Sequence, residues 1–249
     1  MTRVFDFTLG PPIGEQATLG VIVLQSDETL EHDFRRLLPE RGVALYTSRI
    51  PSGAEVSTDS LAEMEAEMPR AAGLLPRPVR FDAVGYGCTS GTSVIGARRV
   101  AELVKSGCQT EAVTEPLSAL LAACHHLGIT RLAFLSPYVE AVSSHLRNVL
   151  AQDGVETPVF GTFDEAEETR VARIDGGSIK AAARALMADG EADALFMSCT
   201  NLRTLDVIAE IEAEIGKPVL SSNQVLAWDL MRRAGVACHH DGYGRLFHA

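Results

Sequence analysis

The sequence predicts an α/β protein made of two pseudo-symmetric parallel-sheet α/β halves. Three observations carry that prediction. Short apolar runs alternate with longer amphipathic stretches, the pattern of parallel strands joined through helices. A block of nine residues recurs 111 positions further on, and a second segment recurs at the same spacing. Aromatics are 6% of the 249 residues while glycine occurs 21 times, a composition suited to helices packed closely on a sheet.

The elements follow in order. Leu19–Leu24 (LGVIVL) reads as the first strand, and its unbroken apolar run suits burial on both faces. Val43–Thr47 is the second. Leu61, Met64 and Met68 mark the apolar stripe of a helix, which runs into a proline-rich connection at Leu74–Val79 (LLPRPV). Phe81–Tyr86 and Ala112–Thr114 are the third and fourth strands. The second half offers Arg131–Leu135, Val155–Phe160, Ala192–Met197 and Lys217–Leu220. Between the last two, Leu202, Leu205, Ile208, Ile211 and Ile215 recur every three or four residues, which predicts one helix with a single buried stripe.

The repeat ties the halves together. Asp82-Ala83-Val84-Gly85-Tyr86-Gly87-Cys88-Thr89-Ser90 aligns with Asp193-Ala194-Leu195-Phe196-Met197-Ser198-Cys199-Thr200-Asn201. The same spacing lays Val21–Leu24 on Leu132–Leu135 and Asp27 on Tyr138. A period this long suits a duplicated domain rather than a solenoid. The expected halves are 1–115 and 116–225, with 226–249 packing back on the first.

Charge and cysteine usage narrow the function. With 33 acids against 22 bases the net charge is −11, and no basic stripe offers a surface for nucleic acid. No apolar run approaches a membrane span. Met1–Gly10 lacks the apolar stretch of a signal peptide, so a soluble cytoplasmic protein is expected. Five cysteines, an odd number, argue against a disulfide framework.

Two of those cysteines stand out. Cys88 and Cys199 each end a strand and precede what reads as a helix start, the sheet edge where α/β proteins bind ligands. Unpaired N–H groups and the helix dipole there favour an anion, so each thiol is expected to have a lowered pKa. Thr89, Ser90, Thr200 and Asn201 have the chemistry to cap those helices or donate to a substrate carboxylate. Facing halves would set the thiols on opposite sides of one cleft, an arrangement that needs no cofactor. It suits proton abstraction beside a carboxylate or addition to an activated double bond.

At these residues the chain resembles the Asp/Glu racemase superfamily, and within it the branch of maleate cis–trans isomerases and arylmalonate decarboxylases. The resemblance rests on Cys88-Thr89-Ser90-Gly91, Cys199-Thr200-Asn201-Leu202, Ser136-Pro137-Tyr138, Ser222-Asn223-Gln224 and the opening Leu19–Phe34. It implies a two-domain fold with the site between the halves. It implies that Cys88 adds to the double bond of maleate and that Cys199 handles a proton as the adduct collapses to fumarate. Tyr138 would bond a substrate carboxylate. Two departures accompany it: Leu24-Gln25-Ser26-Asp27 stands where the isomerases tend to have Pro-Ser-Ser-Asn, and Thr162–Thr169 (TFDEAEET) offers acids where a substrate-binding Asn is expected. The decarboxylases keep only the second cysteine, so Cys88 argues against a simple decarboxylase.

The expected function is therefore a cofactor-independent isomerase of a small carboxylic acid. Cys88 and Cys199 would be catalytic, with Ser26, Asp27, Thr89, Ser90, Tyr138, Thr200 and Asn201 binding substrate. A racemase of Asp, Glu or a hydantoin-type compound is the near alternative, since Asp27 could meet an ammonium. A non-catalytic small-molecule binder is the third. A homo-oligomer is the default assembly.

Other features read as structural. Arg203 could clamp a carboxylate, or be a solvated surface residue. Glu31 and Asp33 read as ordinary charge in the first helix. Cys124-His125-His126 and Cys238-His239-His240 lack metal-ligand spacing, so no metal is expected. Cys108 reads as incidental. Gly85-x-Gly87-x-x-Ser90 lacks the third glycine of a dinucleotide fingerprint, and Ala97 stands where a phosphate-binding loop needs lysine.

Overall fold

The computed structural model describes residues 2–53 and 58–248. The first half runs β1 (Ala17–Leu24), α1 (Leu30–Leu37), β2 (Val43–Ile50), α2 (Thr58–Ala72), β3 (Phe81–Gly87), α3 (Thr89–Ile95), α4 (Ala97–Gly107) and β4 (Thr110–Thr114). The second runs α5 (Pro116–Leu127), β5 (Arg131–Ser136), α6 (Glu140–Gln152), β6 (Glu156–Thr162), α7 (Glu168–Val171), α8 (Gly176–Met187), β7 (Ala194–Met197), α9 (Ile208–Ile215), β8 (Val219–Ser221) and α10 (Ser222–Arg233). All eight expected strands are present. Each sheet has four parallel strands, ordered β2-β1-β3-β4 and β6-β5-β7-β8. The second order is the first with every strand advanced by four, so the repeat in sequence is a repeat of topology.

The central strands explain themselves by burial. In β1 only Thr18 escapes full burial, and β7 is buried throughout. Helices cover both faces, as parallel sheets require. Met64 and Met68 of α2 are buried as the stripe predicts; Leu61 lies outside the described side chains. Local chemistry starts the helices. Glu115 accepts the N–H groups of Leu117 and Ser118 ahead of Pro116 at the first position of α5, and Gly128 ends that helix in the left-handed region. Ser221 and Gln224 form a capping box on α10.

Helix α10 joins the halves. It leaves the second sheet at β8 and packs on β3, β4, α1 and α5. Its Asp229, fully buried, accepts a 2.6 Å bond from the hydroxyl of Thr114 in β4 and pairs with Arg232 and Arg233 at 2.6 Å each. That pairing on one side is what lets a carboxylate sit in the core. No described helix is long and apolar enough to cross a membrane.

One element differs from the sequence expectation. The stripe from Leu202 to Ile215 is not one helix: α9 begins only at Ile208, and residues 199–207 form a series of turns. Leu202 and Leu205 are buried all the same, because the turns fold back over the sheet edge. Burial at helical spacing came from a loop.

Candidate active site

In both sheets the order reverses beside the first strand, between β1 and β3 and between β5 and β7. Ligands of open α/β sheets bind outside the carboxyl ends at such points. Asp27 follows β1 and Cys88 follows β3; Tyr138 follows β5 and Cys199 follows β7.

Cys88 is the N-cap of α3, with its Sγ accepting the N–H of Gly91 at 3.1 Å. A Cβ on Gly91 would lie 2.7 Å from Tyr86 Oη and 2.8 Å from Cys88 Sγ, so only glycine lets the sulfur turn back over the helix start. Cys199 departs from the expected pattern. No helix follows it, and its backbone sits at φ +107°, a left-handed conformation costly for a residue with a side chain. That twist aims Sγ at Tyr138 Oη, 2.9 Å away, while the N–H of Asn201 reaches Sγ at 3.3 Å.

The two sulfurs share one cavity, lined by Leu24, Cys88, Thr89, Ser90, Tyr138, Glu168, Cys199 and Thr200. Its volume is about 20 Å³, roughly room for one water. Among the described residues the lining contains no lysine or arginine. Ser222 stitches the two motifs together: its Oγ accepts the Thr89 hydroxyl at 2.8 Å and the Cys199 N–H at 3.0 Å. Asn223 then links Thr200 O at 2.7 Å to Asp33 Oδ2 at 2.8 Å.

The remaining expected site residues divide. Asp27 is buried, with Oδ1 accepting the N–H groups of Thr29 and Leu30 at 2.8 Å each at the start of α1. Its Oδ2 makes no hydrogen bond of good geometry among the described residues, although the Thr200 side chain acts on the carboxyl, and Asp27 is not among the residues that line the cavity. Asn201 binds outward from the cavity, accepting the Glu28 N–H at 2.8 Å and donating to Glu168 Oε2 at 2.6 Å. Ser26 pairs with Ser52 at 3.0 Å and does not line the cavity. Arg203 is exposed and lines a separate surface groove with His32 and Asp206.

Two residues escaped the sequence reading. Ser222 stood only inside a quoted motif, and Glu168 only as one acid among several. Glu168 is 2% exposed and receives the Tyr138 hydroxyl on Oε1 at 2.6 Å. Its partners are 30 and 33 residues away, so no local pattern announces it.

The expectation of acidic thiols is overturned. Burial pushes Cys88 up to about 12, with the Gly91 N–H opposing and the Glu168 and Asp27 carboxyls adding to the rise. Burial and Glu168 likewise hold Cys199 well above an ordinary thiol. A helix start lowers a thiol pKa when water or a cation shares the site; here the neighbours are carboxyls. Burial thus favours the thiol over the thiolate at both positions.

Asp33 is also corrected, being 2% exposed rather than ordinary surface charge. Burial raises its carboxyl from 3.8 to about 7, against the bond from Asn223. The folded state therefore holds its proton more tightly than the unfolded chain. The stability penalty is absent below 3.8, grows as pH climbs to about 7, and is full above it. Asp33→Asn keeps an acceptor for Asn223, and is expected to stabilise at pH 8 by on the order of 3 kcal/mol, with little effect near pH 4. Urea unfolding at the two pH values checks this; equal shifts at both would contradict it.

The cysteine-histidine clusters stay apart from this site. Cys124 is buried, while His125 and His126 face outward and His126 packs on Trp228 at 5.4 Å. His239 lies beside His248 and Asp241 on the exposed C-terminal segment.

With this geometry in hand, comparison with known proteins is informative. Residues 104–247 match the family model for arylmalonate decarboxylase. The chain belongs to the arylmalonate decarboxylase family. Arylmalonate decarboxylase of Bordetella bronchiseptica is 33% identical over 132 residues, 52% of this chain and 55% of that one, so the chain matches about half of that relative's length. Maleate isomerase of Nocardia farcinica is 27% identical over 239 residues, 92% of this chain and 94% of the relative. Among solved structures, a cysteine-to-serine variant of Nocardia farcinica maleate cis-trans isomerase with a covalently bound succinylcysteine intermediate superposes with TM-score 0.85 at 25% identity, covering 93% of this chain and 98% of that one. Arylmalonate decarboxylase itself superposes with TM-score 0.72 at 26% identity over 93% of this chain and 99% of that one. The family is thus this branch of the Asp/Glu racemase superfamily, and the chain is an enzyme of isomerase type.

Proposed function

We propose that the protein is a cofactor-independent cis–trans isomerase of a small unsaturated carboxylic acid, with Cys88 as nucleophile and Cys199 as its acid/base partner. The observation that carries this reading is that both thiols line one small cavity, each fixed by a backbone N–H. Sulfur of Cys88 bonds one alkene carbon while Cys199 protonates the next. The carbon–carbon bond, now single, rotates. Cys199 takes a proton back and the Cys88–carbon bond breaks. Thr89, Ser90, Tyr138 and Thr200 hold the carboxylate with hydroxyl and N–H donors. A cavity of about 20 Å³ must open to admit any substrate, and Cys88 is wetted and loses its proton in that open state. The succinylcysteine of the Nocardia farcinica structure is the kind of adduct this scheme forms.

A second reading has its own observation. The orphaned Oδ2 of buried Asp27 and the absence of a cation in the lining favour a substrate with an ammonium or hydroxyl group over a dianion. The same thiols would then act as two bases on opposite faces, making a racemase. A panel of maleate, unsaturated monocarboxylates and L-amino acids separates the two. Loss of the alkene chromophore supports isomerisation, and loss of optical rotation supports racemisation. Inertness toward every member, with both cysteines intact, would sink the catalytic reading.

A further inference from the structure

Resting on the assignment of Cys199 as the acid/base partner, we propose that Cys199, Tyr138 and Glu168 form a proton relay through which Glu168 exchanges a proton with Cys199 and so sets whether the sulfur meets substrate as thiol or as thiolate. The bonds define its path. Tyr138 has one hydroxyl hydrogen, and its oxygen stands 2.6 Å from Glu168 Oε1 and 2.9 Å from Cys199 Sγ. With Glu168 ionised the 2.9 Å contact between Tyr138 Oη and Cys199 Sγ uses the thiol hydrogen; with Cys199 ionised the tyrosine hydrogen turns to sulfur and a protonated Glu168 donates to Tyr138 Oη. In the first state the line reads S–H to O–H to carboxylate, with all three groups buried.

The step balances within those three groups. The S–H bond of Cys199 breaks as an O–H bond forms on Tyr138 Oη. Tyr138's own O–H bond breaks as one forms on Glu168 Oε1. Two protons each move one place, the tyrosine ends as it began, and a single negative charge passes from carboxylate to sulfur. With Cys199 buried in a cavity that has room for about one water, the carboxyl one hydroxyl away is the nearest acceptor for its proton. An internal acceptor also spares the site a second buried charge.

The surroundings hold Glu168 to this task. Asn201 Nδ2 donates to Glu168 Oε2 at 2.6 Å and to its carbonyl at 3.1 Å, while Asn201 Oδ1 is fixed by the Glu28 N–H. The titratable groups facing the relay are Cys88 beyond β3 and Asp27 beyond β1, both of which disfavour added negative charge. Arg170 and Arg173, near Glu168 in the chain, are exposed and engaged with Glu165 and Glu28. Burial raises the Glu168 carboxyl above the ordinary glutamate range. Asp27 lacks the geometry, since neither of its oxygens bonds a sulfur or Tyr138.

Alkylation of Cys199 by iodoacetamide across pH tests this without a substrate, in a Cys88→Ser background with peptide mapping. A coupled pair gives a two-step profile, the lower step following Glu168. Glu168→Gln is expected to leave a single step, and Tyr138→Phe, should that variant misfold, to do the same. A single-step profile in the parent, or a lower step that survives both substitutions, overturns the relay whether or not the isomerase reading stands. With any substrate that is turned over, Glu168→Gln should lower kcat about 100-fold and lose the acid limb of the kcat/KM profile, with Glu168→Asp restoring most of the rate. An acid limb unchanged in Glu168→Gln would mean that Glu168 only holds Tyr138 in place.

Discussion

Replacing either Cys88 or Cys199 by serine is expected to cut turnover at least a thousandfold while leaving the fold standing. Serine nearly matches cysteine in volume, and its oxygen can accept the Gly91 N–H that now reaches Cys88 Sγ at 3.1 Å. Nothing in the packing fails. What is lost is a polarizable nucleophile whose anion is accessible: a hydroxyl in this cavity meets the same burial and the same two carboxyls that already raise the thiols, and starts from a far weaker acid. Nucleophilic catalysis depends on that difference.

The two variants should fail differently. Cys88→Ser blocks bond formation, so intact-protein mass after incubation with substrate stays that of the free chain. Cys199→Ser removes the base that takes the proton back from carbon, so an adduct protonated from water and heavier by one substrate molecule should accumulate on Cys88. An adduct on Cys88 in both turnover-competent enzyme and Cys199→Ser fits the isomerase scheme. Near-normal turnover by Cys88→Ser, with thermal melting unchanged, would remove the covalent mechanism.

How much of this was legible in the chain follows from where each piece of information resides. The duplicated topology was, because strands and turns are local and the repeat preserves their spacing. Cys88, Cys199 and Tyr138 were, because they stand at strand ends within the repeat. The helical stretch at Leu202 was misread because loops that fold over a sheet edge bury residues at helix-like intervals. The thiol acidity was misjudged because it depends on carboxyls brought in from other segments: Asp27 lies 172 residues from Cys199, and Glu168 reaches Asn201 across 33. Desolvation by such neighbours has no sequence signature. Cys199's φ of +107° was equally hidden, since nothing about cysteine invites the left-handed region.

Asp27→Asn has the second largest expected effect, and it decides the substrate. Asp27 is 3% exposed, with one oxygen bound to two N–H groups and the other unpartnered. Asparagine keeps the bound oxygen, because its carbonyl accepts the same Thr29 and Leu30 N–H groups at the start of α1. Its Nδ2 then takes the place of the orphan and reverses the polarity there from acceptor to donor. Burial raises the Asp27 carboxyl above the ordinary aspartate range, and in its ionised form it repels a carboxylate about 5 Å away by about 3 kcal/mol at an effective dielectric of 20. If the substrate is a dicarboxylate, Asp27→Asn should therefore raise kcat/KM by about one to two orders of magnitude, mostly through KM. If the substrate carries an ammonium or hydroxyl at that end, the same change removes its partner and should lower kcat/KM by a similar factor. Equal small losses for both substrate classes would leave Asp27 with its helix-capping bonds alone. The sign of the change thus reads the charge of the substrate end nearest Asp27, which is the property separating a maleate-type isomerase from an amino-acid racemase on this scaffold.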